Sequence, residues 1–392
     1  MKNKIKIINK VKPFNKTLNI EGDKSISIRW ALLASQAYGK SKSINLLKSE
    51  DIISTLECLK KLGVKIKISR NVCEITGVGL NGYKYKKNTV LDAGNSGTLG
   101  RLILGLLVHS KVKIKLIGDQ SLSKRDFLRV TIPLKKFGAK IKSNSGKLPI
   151  IINGTNTSNP IKYYEDKGSA QCKSAIMLAA LNTKGQTIIK AKKSRNHTEL
   201  LFKYLKIPTK IKISKKYDYK KIKRPKKIKA FNYQIPGDIS SAAFFIVLTA
   251  LANNSELLIK NINVNSSRAG IITILKKMGV KILLKNQKDY RGEKIADIFI
   301  KSTKNLKAIN CPSELNSSAI DEFLIIFLVA ARAKGISYFK NISELNQKES
   351  LRLDLGSKIL NMMGIKTKLT KDSIKIYGQP NLKITKIITV KN

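Results

Sequence analysis

The stretch KKLGVKIKI, residues 60–68, contains the break that organises the whole chain. Glycine just after the last turn of a helix is a common stop, because it adopts the left-handed backbone conformation at little cost. The alternation of Lys with Ile that follows has the two-residue period of a half-buried strand. The segment therefore predicts a helix that stops at Gly63 and leads directly into a strand.

The same junction recurs along the chain, as KKFGAKIK at 135, KKMGVKIL at 276, NMMGIKTKL at 361 and, more weakly, KYLKIPTKIKI at 203. A second motif alternates with it: a polar cluster followed by a helix that is apolar nearly all round and so should be buried. Its copies centre near Lys24, Ser96, Ala170, Ile239 and Asp321, at intervals of 72, 74, 69 and 82 residues. The chain therefore contains five copies of one repeating unit.

Each polar cluster lies where a buried helix is predicted to begin. Unpaired backbone N–H groups and the helix dipole favour anions at such an end. Five helix ends directed at one place would form an anion-binding cleft. The alternative that the Ser, Asp and Asn residues there act only as N-caps stays open, since those residues are the common caps.

The composition is strongly basic, with 77 Lys and Arg against 25 Asp and Glu and a formal charge of +52. A nucleic-acid binder of this charge should carry it as a focused stripe accompanied by aromatic residues, or contain a known binding motif. Lysine is instead spread through nearly every segment, and the densest stretch, 203–229, resembles a solvated strand edge or connector. We therefore expect small anionic substrates as partners and no nucleic acid.

Other classes are disfavoured by simpler features. The longest strictly apolar runs, 242–247 and 323–331, are too short to span a bilayer, and the N-terminus lacks the pattern of a secretory signal. We expect a cytoplasmic protein without a membrane partner. The widely spaced cysteines and two histidines predict buried thiols, with no disulfide, metal or other cofactor.

Eight ordered motifs resemble the 5-enolpyruvylshikimate-3-phosphate synthase family: GDKSISIR at 22, LDAGNSGTLGRL at 91, GDQSLSKR at 118, SAQCKSA at 169, SRNHTE at 194, PGDISSAAFF at 236, IDE at 320 and KESLR at 348. The resemblance implies an α/β fold, a two-domain inside-out barrel built from βαβαββ repeats, with five of an expected six present. It places the first domain at 14–233 and the second at 1–13 plus 234–392.

The spacing of the repeat predicts where a sixth polar cluster would lie. One mean interval, (321 − 24)/4 or about 74 residues, added to Asp321 gives a position near 395, and the sequence ends at Asn392. The family continues with an Asp-His-Arg segment that supplies a third arginine to phosphoenolpyruvate. We therefore expect the second domain to be incomplete at its C-terminus.

The resemblance also implies the reaction. Members of the family transfer the enolpyruvyl group of phosphoenolpyruvate to the 5-hydroxyl of shikimate 3-phosphate and release phosphate, on the route to chorismate and the aromatic amino acids. By this resemblance Asp321 handles the proton of the 5-hydroxyl, and Glu349 acts with Lys24 to protonate the methylene carbon. A monomer is expected.

The substrate contacts follow from the same matches, and each suits an anion. Arginine can fork onto phosphate or carboxylate oxygens, and glycine lets the backbone approach a ligand closely. The expected contacts to shikimate 3-phosphate are Lys24, Ser25, Arg29, Ser169, Ala170, Gln171, Ser194, Asp321 and Lys348. Those to phosphoenolpyruvate are Lys24, Asn95, Gly97, Arg125, Gln171 and Arg352.

Three other interpretations remain. A truncated or degenerate member could bind shikimate 3-phosphate without turnover. A UDP-N-acetylglucosamine enolpyruvyl transferase would carry a cysteine on a mobile loop, and none occurs between Cys73 and Cys172. A nucleic-acid binder ranks last. Because Gly97 is not replaced by Ala, the resemblance also predicts that glyphosate competes with phosphoenolpyruvate.

Overall fold

A computed structural model describes residues 10–84, 86–214, 216–347 and 350–382. The chain divides into two compact units. The first unit comprises Glu21–Asp238 and Asp289–Lys294. The second unit comprises the described parts of Met1–Ile20, Ile239–Lys288 and Ile295–Asn392.

Helices and strands alternate along both units. In chain order they are β1 (Asn15–Asn19), α1 (Lys24–Ser35), β2 (Tyr38–Ile44), α2 (Glu50–Lys61), β3 (Lys65–Ser69), β4 (Val72–Val78), β5 (Val90–Asp92), α3 (Gly97–Leu106), β6 (Lys113–Ile117), α4 (Gln120–Ser123), α5 (Leu128–Lys136), β7 (Lys140–Asn144), β8 (Lys147–Asn153), β9 (Lys162–Glu165), α6 (Ala170–Ala180), β10 (Gln186–Lys192), α7 (His197–Tyr204), β11 (Thr209–Ile213), β12 (Tyr217–Lys223), β13 (Tyr233–Gln234), α8 (Ile239–Leu251), β14 (Glu256–Asn263), α9 (Gly270–Lys277), β15 (Lys281–Tyr290), β16 (Glu293–Lys301), α10 (Asn316–Ala319), α11 (Phe323–Arg332), β17 (Gly335–Phe339), α12 (Arg352–Met362), β18 (Thr367–Leu369) and β19 (Ile374–Gly378). Short 3₁₀ turns cover Leu107–His109, Ser313–Leu315 and Ser343–Gln347.

The first unit contains three four-stranded sheets with one topology. Their orders are β13-β2-β4-β3, β5-β6-β8-β7 and β9-β10-β12-β11. In each sheet the first two strands are parallel and the remaining pairs are antiparallel. Each sheet is therefore one βαβαββ repeat, and β13, from the end of the unit, completes the first.

The second unit repeats this plan twice. One sheet has the order β1-β14-β16-β15, with β1 parallel to β14. The other has the order β17-β19-β18, and single parallel bridges from Lys307 to Lys334 and from Asn310 to Tyr338 stand in place of its first strand. The predicted five copies of a βαβαββ repeat are confirmed in the described residues.

The glycine stops lie where the sequence pattern places them. Gly63, Gly138, Gly279 and Gly364 follow α2, α5, α9 and α12, with φ between +84° and +105°. In the weaker copy Lys206 takes this position with φ +54°, after α7. This copy is the hardest to recognise because it lacks the glycine that marks the other junctions, and its left-handed conformation costs Lys206 about 1–2 kcal/mol.

The helices form the interior of each unit, as the inside-out barrel requires. In α1 every residue from Ile26 to Ser35 is buried, including Trp30. The strands alternate between a buried and an outward face. Helix α8 departs from the expectation of all-round burial, because Phe244 and Leu248 lie on a side that the described residues of its unit leave exposed.

The chain passes from the second unit to the first at Ile20 to Glu21 and back at Asp238 to Ile239, and the short segment Asp289–Lys294 is grouped with the first unit. The first passage lies later than the expected boundary at Phe14, because β1 joins β14 in a parallel ladder of the second unit. The second lies a few residues beyond the expected one, because Asp23 and Gly22 pair with Pro236 and Gly237 of the first unit.

The four cysteines are buried free thiols, as predicted. Burial raises the pKa of Cys58, Cys73 and Cys172 to about 12 and that of Cys311 to about 11. They are therefore protonated and poorly nucleophilic at neutral pH. Within the described ranges no helix has the length and apolar character needed to cross a membrane.

Candidate functional site

Helix α1 presents a lysine at its first position. Asp23 is the N-cap, and its Oδ1 accepts from the backbone N–H of Ile26 at 2.9 Å. The backbone N–H of Lys24 donates to Asp238 Oδ2 at 3.1 Å. The Lys24 side chain is 47% exposed, and its Nζ lies 3.5 Å from Asp51 Oδ2. An exposed ammonium at a helix N-terminus is well placed to bind a phosphate group.

The start of α3 brings three predicted residues together. Arg125 Nη2 donates to Asn95 Oδ1 at 2.8 Å. The first residue of α3 is Gly97, and a methyl group there would lie 3.0 Å from Arg125 Nη1 and 2.9 Å from Arg101 Nη1. Two guanidinium groups therefore pack against the backbone of Gly97, an arrangement that a larger residue would displace.

Asp119 orients this group from the other side of Asn95. Its Oδ1 accepts from the backbone N–H of Leu122 at 2.7 Å, and its Oδ2 accepts from Asn95 Nδ2 at 2.5 Å. The backbone N–H of Leu122 lowers the pKa of Asp119, and Asn95 and Arg125 lower it further, against a smaller opposing effect of burial. The ionised carboxylate thereby holds the Asn95 amide with its oxygen toward Arg125.

Gln171 joins the start of α6 to α3. Its Nε2 donates to Thr98 Oγ1 at 3.0 Å, and its Oε1 accepts from Arg101 Nη1 at 2.8 Å. The hydroxyl of Ser169 accepts from the backbone N–H of Cys172 at 3.2 Å, so it is an N-cap. Arg101 was not among the predicted residues, although its place four residues after Gly97 puts both on one helical face.

Arg29, a predicted contact to shikimate 3-phosphate, is buried in the first unit. Its Nη1 donates to the Ser25 carbonyl at 2.9 Å, its Nη2 to Ser174 Oγ at 3.1 Å and its Nε to Thr198 Oγ1 at 2.8 Å. Burial lowers the pKa of Arg29 to about 10, against the opposing effect of Glu199, so the guanidinium stays charged at neutral pH. Arg29 thus ties the starts of α1, α6 and α7 together.

A buried charge cluster supports the segment that carries Ser194. Lys173 Nζ donates to the Arg195 carbonyl at 3.0 Å and lies 2.6 Å from Glu199 Oε1, while Lys220 Nζ lies 3.6 Å from the same oxygen. Burial alone would raise the pKa of Glu199, but the two lysines outweigh it and the pKa is lowered. The Ser194 hydroxyl, by contrast, makes no hydrogen bond within the described part of the chain.

In the second unit, two arginines flank the predicted carboxylate. Arg268 Nη1 donates to Asp321 Oδ2 at 3.2 Å, and Arg352 Nη1 donates to Asp321 Oδ1 at 3.4 Å. Arg352 is the first residue of α12, and Asp321 precedes α11. The structure therefore brings the predicted residues Asp321 and Arg352 together. Arg268, which was not predicted, contacts the same carboxylate.

Arg268 is held in place by a hydrogen bond to a neighbouring side chain. It is buried, and its Nη2 donates to Ser240 Oγ at 2.8 Å. Ser240 in turn donates a short hydrogen bond to the buried Glu322. Arg268 was not among the predicted residues, although the string NSSRAG at 265 places a polar cluster before α9 as well. The remaining predicted residues, Lys348 and Glu349, lie outside the described residues.

The sequence model of one family, described as EPSP synthase (3-phosphoshikimate 1-carboxyvinyltransferase), matches residues 8–391. Solved structures agree: an EPSP synthase from Acinetobacter baumannii superposes with a TM-score of 0.83 at 35% identity, covering 94% of this chain and 82% of that one.

Curated relatives give the same family name. The 3-phosphoshikimate 1-carboxyvinyltransferase of Ruthia magnifica is 44% identical over 94% of this chain and 84% of its own length. That of Bacillus subtilis is 37% identical over 95% of this chain and 86% of its own length.

Proposed function

This chain belongs to the EPSP synthase family, and from that membership we propose that it transfers the enolpyruvyl group of phosphoenolpyruvate to the 5-hydroxyl of shikimate 3-phosphate. The released product is inorganic phosphate, and the reaction serves the synthesis of chorismate and aromatic amino acids. The structural observation that best supports the proposal is the pair of guanidinium groups, of Arg101 and Arg125, against the N-terminus of α3.

Phosphoenolpyruvate carries a phosphate and a carboxylate, and the first unit offers cationic groups suited to both. Arg125 can fork onto two oxygens, and the backbone at Gly97 can approach them without a side chain between. Asn95 holds Arg125, and Gln171 holds Arg101. The proposed contacts are Lys24, Asn95, Gly97, Arg125, Gln171 and Arg352.

Shikimate 3-phosphate carries two anionic groups, a carboxylate and a phosphate, and free hydroxyls at its other substituted ring positions. The starts of α1 and α6 provide backbone N–H groups and short polar side chains for such a ligand. Ser194 offers a hydroxyl without a protein partner in the described chain. The proposed contacts are Lys24, Ser25, Arg29, Ser169, Ala170, Gln171, Ser194, Asp321 and Lys348.

The proposed chemistry consists of an addition followed by an elimination. Asp321 accepts the proton of the 5-hydroxyl as that oxygen bonds to C2 of phosphoenolpyruvate, while Glu349 with Lys24 delivers a proton to the methylene carbon. The tetrahedral adduct then loses a proton from this carbon and expels phosphate, which restores the double bond. Arg268 and Arg352 orient Asp321 for its step.

The proposal includes action as a cytoplasmic monomer without a cofactor. A sedimentation or light-scattering mass equal to one chain is expected at working concentrations. A stable dimer would overturn that part of the proposal and leave the chemistry to be tested by itself.

Phosphate release tests the reaction. The purified chain should release phosphate only when both shikimate 3-phosphate and phosphoenolpyruvate are present. Lys24→Met should abolish release, and Lys65→Met, which removes an exposed lysine on β3, should not. If the wild type binds shikimate 3-phosphate by calorimetry but releases no phosphate, the chain is instead a family member that binds without turnover.

A further inference from the structure

The outward face of the sheet β9-β10-β12-β11 concentrates lysine and tyrosine. Cross-strand partners share one face of a sheet, and alternate residues along a strand return to it. The pairs Tyr164 with Lys190, Lys190 with Tyr219, and Tyr219 with Lys212 link all four strands on one side. We call this surface the basic tyrosine face; its lysines and tyrosines are Lys162, Tyr164, Lys190, Lys192, Lys210, Lys212, Tyr217, Tyr219, Lys221 and Lys223.

The tyrosines of the basic tyrosine face gather around one ammonium group. Lys190 Nζ lies 5.0 Å from the ring centroid of Tyr164, 4.9 Å from that of Tyr217 and 5.7 Å from that of Tyr219. The Tyr164 and Tyr217 rings meet edge to face at 5.6 Å. Tyr164 remains 45% exposed and Tyr219 38% exposed. Flat aromatic surface and positive charge are therefore available to solvent at the same place.

The carboxylates within these strands face the opposite side of the sheet. Glu165 of β9 and Asp218 of β12 alternate onto the opposite side of the sheet, where Asp218 lies 3.6 Å from the buried Lys220. The outward-facing residues of these four strands, all of them described, include no Asp or Glu. An exposed carboxylate, Asp166, follows directly after β9.

Two other sheets place carboxylates beside some of their outward lysines. On β4, Glu74 lies 3.7 Å from Lys40 Nζ and 3.5 Å from Lys42 Nζ. On β14 and β16, Glu256 lies 2.6 Å from Lys301 Nζ, and Asp297 pairs with Lys260 in the same way. The basic tyrosine face thus has a charge that nothing on its own strands compensates.

We propose that the basic tyrosine face binds single-stranded nucleic acid without regard to sequence. Its lysines would neutralise consecutive phosphates, and its tyrosines would stack on bases, which every nucleotide offers. An anionic membrane surface would attract the same lysines, so binding to anionic vesicles is measured as the competing outcome. The linear sequence shows no focused stretch of basic and aromatic residues, and for that reason we expected no nucleic-acid partner. Folding produces such a surface by pairing the four strands.

Matched charge removal tests this proposal on the full-length chain. Binding of a fluorescently labelled oligothymidylate is measured by anisotropy over a series of salt concentrations. The variant Lys190→Gln/Lys212→Gln/Lys221→Gln removes charges from the basic tyrosine face. Its control, Lys115→Gln/Lys140→Gln/Lys142→Gln, removes the same charge from the outward face of the sheet β5-β6-β8-β7.

We expect the first variant to weaken binding more than tenfold and to reduce the salt slope by about 2, at roughly 0.7 per phosphate contact on a single strand. The control should change both much less. The variant Tyr164→Ser/Tyr219→Ser should weaken binding about 30-fold or more without changing the slope, because it removes two stacking contacts and no charge.

Equal losses in the two triple variants, or no loss in the tyrosine variant, would show that only the diffuse charge of the protein attracts the oligonucleotide and would overturn the proposal. Preferential binding to phosphatidylserine vesicles through the same lysines would overturn it in favour of a membrane surface. All variants should keep wild-type phosphate release, which separates a failure of this proposal from a failure of the proposed reaction.

Discussion

The candidate site residues of the first unit differ in kind from those of the second. Around Gly97 the first unit sets guanidinium groups, amides and a helix N-terminus, all of which suit an anion. Around Asp321 the second unit sets two arginines whose donors are directed at one carboxylate. The difference suggests that substitutions in the first unit act mainly on substrate binding, whereas substitutions at Asp321 act mainly on the chemical step.

The largest effect is expected at Asp321. Asp321→Asn keeps the shape of the side chain but removes the proposed proton acceptor, so kcat should fall by about 10²–10⁴ with smaller changes in KM. Steady-state phosphate release measures both constants. The control Glu314→Gln, at an exposed carboxylate of the same unit, should leave them unchanged. A rise in KM with an unaltered kcat would contradict the division of roles.

The next largest effect concerns the buried support of the binding residues. Glu199→Gln removes the partner of Lys173 at 2.6 Å in an interior where both side chains are almost inaccessible. Breaking a buried ion pair from one side costs about 3–5 kcal/mol, because the remaining charge stays buried. The urea midpoint and slope should report this loss.

A surface pair of nearly equal length provides the matched control. Lys60 Nζ lies 2.7 Å from Glu57 Oε1, and both side chains are about half exposed. Glu57→Gln should therefore change the free energy of unfolding by about 1 kcal/mol or less. If the two variants lose equal stability, the buried cluster has no special supporting role.

A smaller, more selective effect is expected at Gly97. Gly97→Ala places a methyl group 2.9 Å from Arg101 Nη1 and 3.0 Å from Arg125 Nη1, so both guanidinium groups must move. We expect the KM for phosphoenolpyruvate to rise about tenfold, or about 1.4 kcal/mol, and that for shikimate 3-phosphate to change little. Competition by glyphosate, expected in the wild type, should weaken in parallel.

Gly100→Ala, in the same helix, is the control for crowding as such. Its methyl group would lie 3.3 Å from the Phe127 ring rather than beside a guanidinium. It should leave the KM for phosphoenolpyruvate unchanged. A rise in that KM in both variants would point to general distortion of α3.

The smallest effect is a pH dependence of stability. The pKa of Glu199 is lower in the folded protein than its usual value of 4.5. Its contribution to stability is therefore complete above that usual value and is lost as the pH falls through the lower folded pKa. The urea midpoint of the wild type should fall in that acidic window more steeply than that of Glu199→Gln. Parallel curves would contradict the assigned ion pair.

The amino-acid sequence determined the features that depend on neighbouring residues. Helix ends at Gly63, Gly138 and Gly279 were predictable because a left-handed backbone position is a local property that favours glycine. The repeat that these stops mark, and the motifs that run in the same order as those of a known family, were enough to predict the fold and the class of reaction.

Only the tertiary structure decided which distant side chains meet. Arg268 and Asp321 are 53 residues apart, and Lys173 and Glu199 belong to different helices, so neither pairing has a periodic signal in the sequence. The basic tyrosine face arises in the same way, because strand pairing places alternate residues of four separated segments side by side. A count of lysines along the chain cannot reveal this surface. Which residues of a strand face outward is decided by which of its residues pack into the core.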